Sequence, residues 1–154
     1  MGCIMADEHT RQKPNDINAE AAVLSAMMLD NLVVAKAIEN LEVDNFYRKA
    51  HQIIFKNIVE LFQESVEVDI ITLIDKLSMN VELEKVGGEP FINELSDVVM
   101  SGVNAEFHIN IVLEKALLRQ LIDTSTKIVE SCYRSDQPVE DIVDTAEQSI
   151  TAGL

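Results

Sequence analysis

Three histidines, two cysteines and one Gly-Gly step are the residues of this chain whose types could hold a metal, cradle a phosphate or move a proton. His9, His51 and His108 stand far apart, with no cysteine or second histidine at the spacing a metal site needs. Gly87-Gly88 runs into Glu89-Pro90, so it lacks the lysine and hydroxyl of a G-x-x-x-x-G-K-[ST] phosphate loop, and that pattern occurs nowhere else in the sequence. Neither G-x-S-x-G nor H-E-x-x-H is present. Acid pairs three or four residues apart abound, but 27 acids in 154 residues produce them by composition, and they read as solvated helix faces. Cys3 falls in the N-terminal stretch and Cys132 in a helical pattern, which suggests neither a disulfide nor a metal pair and makes a reducing, cytoplasmic setting the default. The expectation is a chain with no catalytic residue, no metal and no cofactor of its own.

The elements that position these residues read as helical almost throughout. Asp16 is placed to cap a helix whose first turn carries Glu20 at the positive end of the dipole. Ala22, Val23, Ala26, Met27 and Leu29 give that helix a broad apolar face. A shorter helix, "NLVVAKAIENL", follows the Asp30-Asn31 punctuation. A third runs through "DNFYRKAHQIIFKNIVELFQES", with Asp44 as its cap and Ile54, Phe55, Ile58, Leu61 and Phe62 facing inward. His51 lies one turn after Tyr47 and one before Phe55, so it is expected as a hydrogen-bonded, half-buried part of the architecture. Asp69 caps a fourth helix over a stripe of Ile70, Leu73, Ile74 and Leu77, and Gly87-Gly88 ahead of Pro90 turns the chain into a fifth. Short connections make residues 17–101 a compact helical globule behind a loose tail over residues 1–16.

From Asn104 to about Arg134 neither Gly nor Pro interrupts the pattern. "SDQP" breaks it, and Pro138 suits the first position of a last helix. There Val139, Ile142, Val143, Ala146 and Ile150 form a stripe opposite Glu140, Asp141, Asp144 and Glu147. Residues 102–154 therefore read as a helical hairpin, and the fold class is all-α. Ile109, Val112, Leu113, Ala116 and Leu117 occupy one side of the long helix, while Leu118 and Ile122 point well away from it. That exceeds the stripe of about 100° that one packing partner requires. The globule, a second copy of the chain or a different protein must cover the rest.

Charge narrows the choice of partner. The formal charge of −15 argues against a nucleic-acid groove, which needs clustered cations; only Arg48 and Lys49 stand together. An aromatic content of 5% offers few platforms for stacking single-stranded bases. So much acid serves solubility, or repels DNA and attracts a basic partner. No run of about 18 uncharged apolar residues offers a membrane span, and the N-terminus lacks the cationic start and apolar core of a secretory signal.

The run "PNDINAEAAVLSAMMLDN" resembles the opening of the N-terminal domain of DnaB-family bacterial replicative DNA helicases. The resemblance continues in order through "NFYRKAHQIIFKNI", "VDIITLIDKL", "LEKVGGEPFINEL" and "NAEFHINIVLEKALLRQLI", and ends in "PVEDIVDTAEQSI". It implies an all-α globule followed by a hairpin, agreeing with the pattern above. It further implies a domain that pairs through its hairpin into a collar of three dimers on a hexameric ring, where the C-terminal helicase-binding domain of primase docks. Self-association would then fall to Leu121, Val139, Ile142, Val143, Ala146 and Ile150. Primase docking would fall to Phe91, Ile122 and Ile128, which match the family's aromatic after the Gly-Gly turn and two hydrophobic positions of the long helix. ATP and magnesium belong, on this resemblance, to a motor domain beyond this chain. Three positions depart from the family pattern: Ser25 replaces a glycine, His108 a tyrosine, and Gly102 occupies a segment where Pro-Ser is common. The competing expectations are a stand-alone helical interaction module, a single-stranded DNA guide at the ring entrance, and a stand-alone helicase or nucleotidase, which the missing phosphate loop opposes.

Overall fold

The computed structural model describes residues 11–153 and is helical, with no strand among them. In chain order the helices are α1 (Ile17–Leu29), α2 (Asn31–Asn40), α3 (Lys49–Gln63), α4 (Ile70–Met79), α5 (Gly88–Ser96), α6 (Ala105–Arg134) and α7 (Val139–Ala152), with short 3-10 turns at Val43–Asn45 and Glu84–Val86. Of the expected tail, residues 1–10, with Cys3 and His9, lie outside the described residues. No described helix is long and apolar enough to cross a membrane.

Two compact units make up the described residues, one of residues 16–116 and one of 117–153 with residues 11–15. The division falls inside α6, later than the 101/102 boundary expected from the sequence, because Ala105, Ile109 and Val112 are buried members of the globular core. In the larger unit α1 packs on α2, α3 and α5, and α4 on α3 and α5, around Val23, Leu24, Met27, Phe46, Phe55, Ile58, Leu73, Leu77 and Ile92.

Local signals place most of these helix ends. The Asp16 carboxylate accepts from the Ala19 amide, and that of Asp30, which ends α1 and begins α2, accepts from the Leu32 amide. Asp69 and Thr72 form a reciprocal capping box at the start of α4. Ser25, where a glycine was expected from the family pattern, uses its hydroxyl: it donates to the Ser96 carbonyl at 3.2 Å and accepts from the Val99 amide at 3.1 Å, tying α1 to the end of α5. Gly102 has a steric reason. A Cβ there would sit 2.8 Å from Val33 Cγ2, so only glycine lets this segment lie against α2.

Three expectations need correction. Asp44 does not cap α3; it lies in the first 3-10 turn, and α3 begins at Lys49. Residues 46–48 stay extended between them because the Tyr47 and Arg48 amides are taken by a side chain of α1, while Phe46 is fully buried with its ring 4.8 Å from that of Phe55. His51 is buried rather than half-buried. Pro138 caps α7 instead of opening it, its carbonyl accepting from the Asp141 and Ile142 amides.

Candidate protein-interaction surfaces

The first surface is built on Glu20. It lies three, four and seven residues before Val23, Leu24 and Met27, on the stripe that α1 buries, and is itself only 1% exposed. Its carboxylate accepts from the Tyr47 amide at 2.8 Å, the Arg48 amide at 3.3 Å and His51 Nδ1 at 2.9 Å. A carboxylate from another helix thus serves the entry to α3, whose own N-cap makes no side-chain bond. The sequence pattern marked Glu20 only as a first-turn acid. An acid on the apolar face of its helix was the available signal that it had a buried partner.

Phe91 stands beside this staple. Gly87 holds φ at +110° ahead of α5, and a Cβ on it would lie 3.0 Å from Phe91 Cβ, so the turn and the ring fit together only around glycine. Phe91 is partly buried on the core, with its ring centroid 6.3 Å from that of His51. The Arg48 guanidinium lies over the ring at 5.0 Å from the centroid, within cation–π range. Arg48 and Lys49 are both exposed, and the first turn of α3 holds no acid.

The second surface is the hairpin. From Leu117 to Gly153 not one residue is buried, although the segment carries 14-residue α7 and more than half of α6. The structure divides the apolar residues singled out from the sequence. Ile128, Ile142 and Ala146 line a shallow groove between α6 and α7, together with Thr124, Lys127 and Ser131. Val139, Val143, Ile150 and Ile122 are exposed, at 75%, 49%, 42% and 42%, and Leu121 is partly covered. The Lys13 ammonium pairs with Asp123 at 2.7 Å, and Arg119 donates to the Pro14 carbonyl at 2.8 Å, so residues just before α1 are held to α6.

The sequence model of the DnaB-like helicase N terminal domain matches residues 12–114, more than half of the chain. The chain belongs to that family. As a DnaB-like N-terminal domain it is 36% identical over 140 residues, 91% of its length, to the replicative DNA helicase DnaB of Geobacillus stearothermophilus, and equally so to the replicative DNA helicase DnaC of Bacillus subtilis. It spans 31% of the length of each. Among solved structures, the N-terminal domain of DnaB helicase from Mycobacterium tuberculosis matches it with a TM-score of 0.85 at 34% identity, over 92% of this chain and 99% of that one. A DnaB-like replicative helicase described with its interactions with primase gives a TM-score of 0.75 at 21% identity, over 88% of this chain and 31% of that one, which is a likeness of fold alone.

Proposed function

We propose that this domain is the collar of a bacterial replicative DNA helicase, working in the cytoplasm at the replication fork: it self-associates through its hairpin, and it offers primase contacts at Phe91 on the globule and, separately, at Ile122 and Ile128 on the hairpin. The observation that carries the reading is the absence of any buried residue from Leu117 to Gly153. A helix of 14 residues whose apolar stripe is covered only in part, at Ile142 and Ala146, has lost little of the surface its folding should hide. A second copy would cover it, and each Å² of apolar surface removed from water contributes roughly 25 cal/mol. In the assembled ring, three such pairs would form the collar. Catalysis would belong to the rest of the longer polypeptide that the 31% coverage implies, with ATP and magnesium bound there.

The work of this domain is then physical rather than covalent. Val139, Val143 and Ile150, with Leu121, would meet the second copy, while Ile142 and Ala146 hold α7 on α6 at the groove that also contains Ile128. Val143→Asp places a charge on an exposed position without disturbing that groove. It is expected to leave helical content unchanged and to convert the associated parent into a single chain, read by sedimentation velocity. A folded Val143→Asp variant sedimenting as the same oligomer as the parent would refute hairpin pairing. Primase docking is tested separately: Phe91→Ala or Ile122→Ala should weaken binding of the cognate primase's helicase-binding domain by about 1–3 kcal/mol if they act as anchors. Equal calorimetric affinities for parent and both variants would remove them from the interface.

A further inference from the structure

Arg48 and Lys49 occupy a place that helix physics disfavours. Cations at the N-terminus of a 15-residue helix face the positive end of its dipole, and α3 has no first-turn acid to offset them. The carboxylate that reaches this helix start, Glu20, is buried and committed to the Tyr47 and Arg48 amides and to His51. Lys13, Lys36, Lys56 and Lys76 each pair with a carboxylate; among the described residues Arg48 and Lys49 do not, and they share that with Arg11, Lys115, Lys127 and Arg134, but they alone stand side by side at a helix start. The Arg48 guanidinium lies on the Phe91 ring instead, which keeps its N–H edge available to an acceptor. In a chain of charge −15 these are also the only adjacent cations. A protein otherwise surrounded by acid therefore presents an aromatic ring capped by one cation and flanked in sequence by another.

We propose that Arg48, Lys49 and Phe91 form a docking site for an acidic segment of a protein partner, with a carboxylate on the Arg48 guanidinium and an apolar neighbour on the Phe91 ring. Charge complementarity selects this occupant. A basic segment would meet Arg48 and Lys49 directly, and the apolar surface proposed to pair two copies lies on the hairpin rather than here. The inference rests on the reading of Phe91 as a primase anchor, and assigns the chemistry of the primase element that lands there. The carboxylate would draw the partner in and set its register, and the ring would hold it by burial.

The test is calorimetric titration of the cognate primase's helicase-binding domain into the whole chain at low and at high salt, with Phe91→Ala, Arg48→Gln and Lys49→Gln. Thermal melts confirm that each variant is folded. Lys49→Gln provides the variant least able to disturb the fold, since its side chain is exposed and unpaired. The expected result is that Arg48→Gln and Lys49→Gln each weaken binding roughly three- to tenfold at low salt and lose most of that effect at high salt, while Phe91→Ala weakens binding at both. A structural role for Arg48 alone would leave the salt dependence unchanged, and would leave Lys49→Gln like the parent. If Phe91→Ala weakens binding but both cation variants keep the parent's affinity and salt dependence, the acidic segment is overturned and the anchor stands. If Phe91→Ala also binds like the parent, the anchor and the inference built on it fall together.

Discussion

The Glu20 carboxylate accepts three hydrogen bonds where almost no water reaches it, and two of the donors are backbone amides with no helical partner. Removing the acceptor leaves those amides and a histidine ring buried without one, which costs more than the bonds themselves were worth. Glu20→Ala should therefore lower stability by about 3 kcal/mol, measured by urea unfolding, whereas truncating an exposed first-turn acid would cost only a few tenths. An unchanged midpoint would show that residues 46–48 find other acceptors. The same residue explains why α3 starts where it does. Tyr47 and Arg48 give their amides to α1, so the chain remains extended until Lys49, and Phe46 enters the core instead of joining a helix.

Between elements, a polar network joins the C-terminal ends of α3 and α4. Asn57, fully buried, donates to the Ile53 carbonyl and to Glu82, and accepts from Asn80, which also donates to Glu60. Lys76 reaches Glu64 at 2.6 Å and Glu60 at 3.7 Å; its ammonium is held above the usual lysine range chiefly by the Glu64 hydrogen bond, against the desolvation that lowers it. For Glu82 burial pushes the carboxyl up, but hydrogen bonds from Asn57 and Lys56 and the charges of Lys56 and Lys85 outweigh it and leave the group below its ordinary value of 4.5. A carboxyl depressed in the folded state stabilises the fold above its unfolded pKa, and that contribution is lost as pH falls through the lower folded value. The parent should therefore lose stability more steeply than Glu82→Gln as pH drops below 4.5, in urea midpoints taken across the acid range. Parallel acid limbs would mean that Glu82 is not coupled to folding. Val81 belongs to the same junction. It takes φ +56° just past α4, where Glu82 donates its amide to the Leu77 carbonyl at 2.8 Å and Val81 donates to that of Ser78, so the network's glutamate is aimed by the helix's own terminating turn.

For the molecule as a whole, two kinds of contact should respond oppositely to salt. Copies of charge −15 repel, while the surfaces proposed to join them are apolar. Raising ionic strength from a few millimolar to 0.15 M, where the Debye length is about 8 Å, should tighten hairpin self-association in sedimentation equilibrium. Association that weakens with salt would point to ion pairs rather than apolar burial as its cause. The sign is the reverse of that expected for a partner held at Arg48 and Lys49.

What the sequence determined by itself was local and periodic. Apolar spacing marked seven helical segments, Asp16 and Asp69 fixed helix starts through bonds that span three residues, and "SDQP" ended α6. The run of ordered blocks also carried the family, and with it the aromatic at Phe91. The late start of α3 depended on Glu20, 27 and 28 residues away in the chain, and no local rule connects a first-turn acid to amides at that distance. The placement of Arg48 over Phe91 and the sorting of Ile142 into the groove but Val143 outside it likewise came only from packing. Helical periodicity says which residues share a face. Which face is covered, and by what, is settled by elements far apart in the chain, whose burial and hydrogen bonds exist only once the tertiary structure has formed.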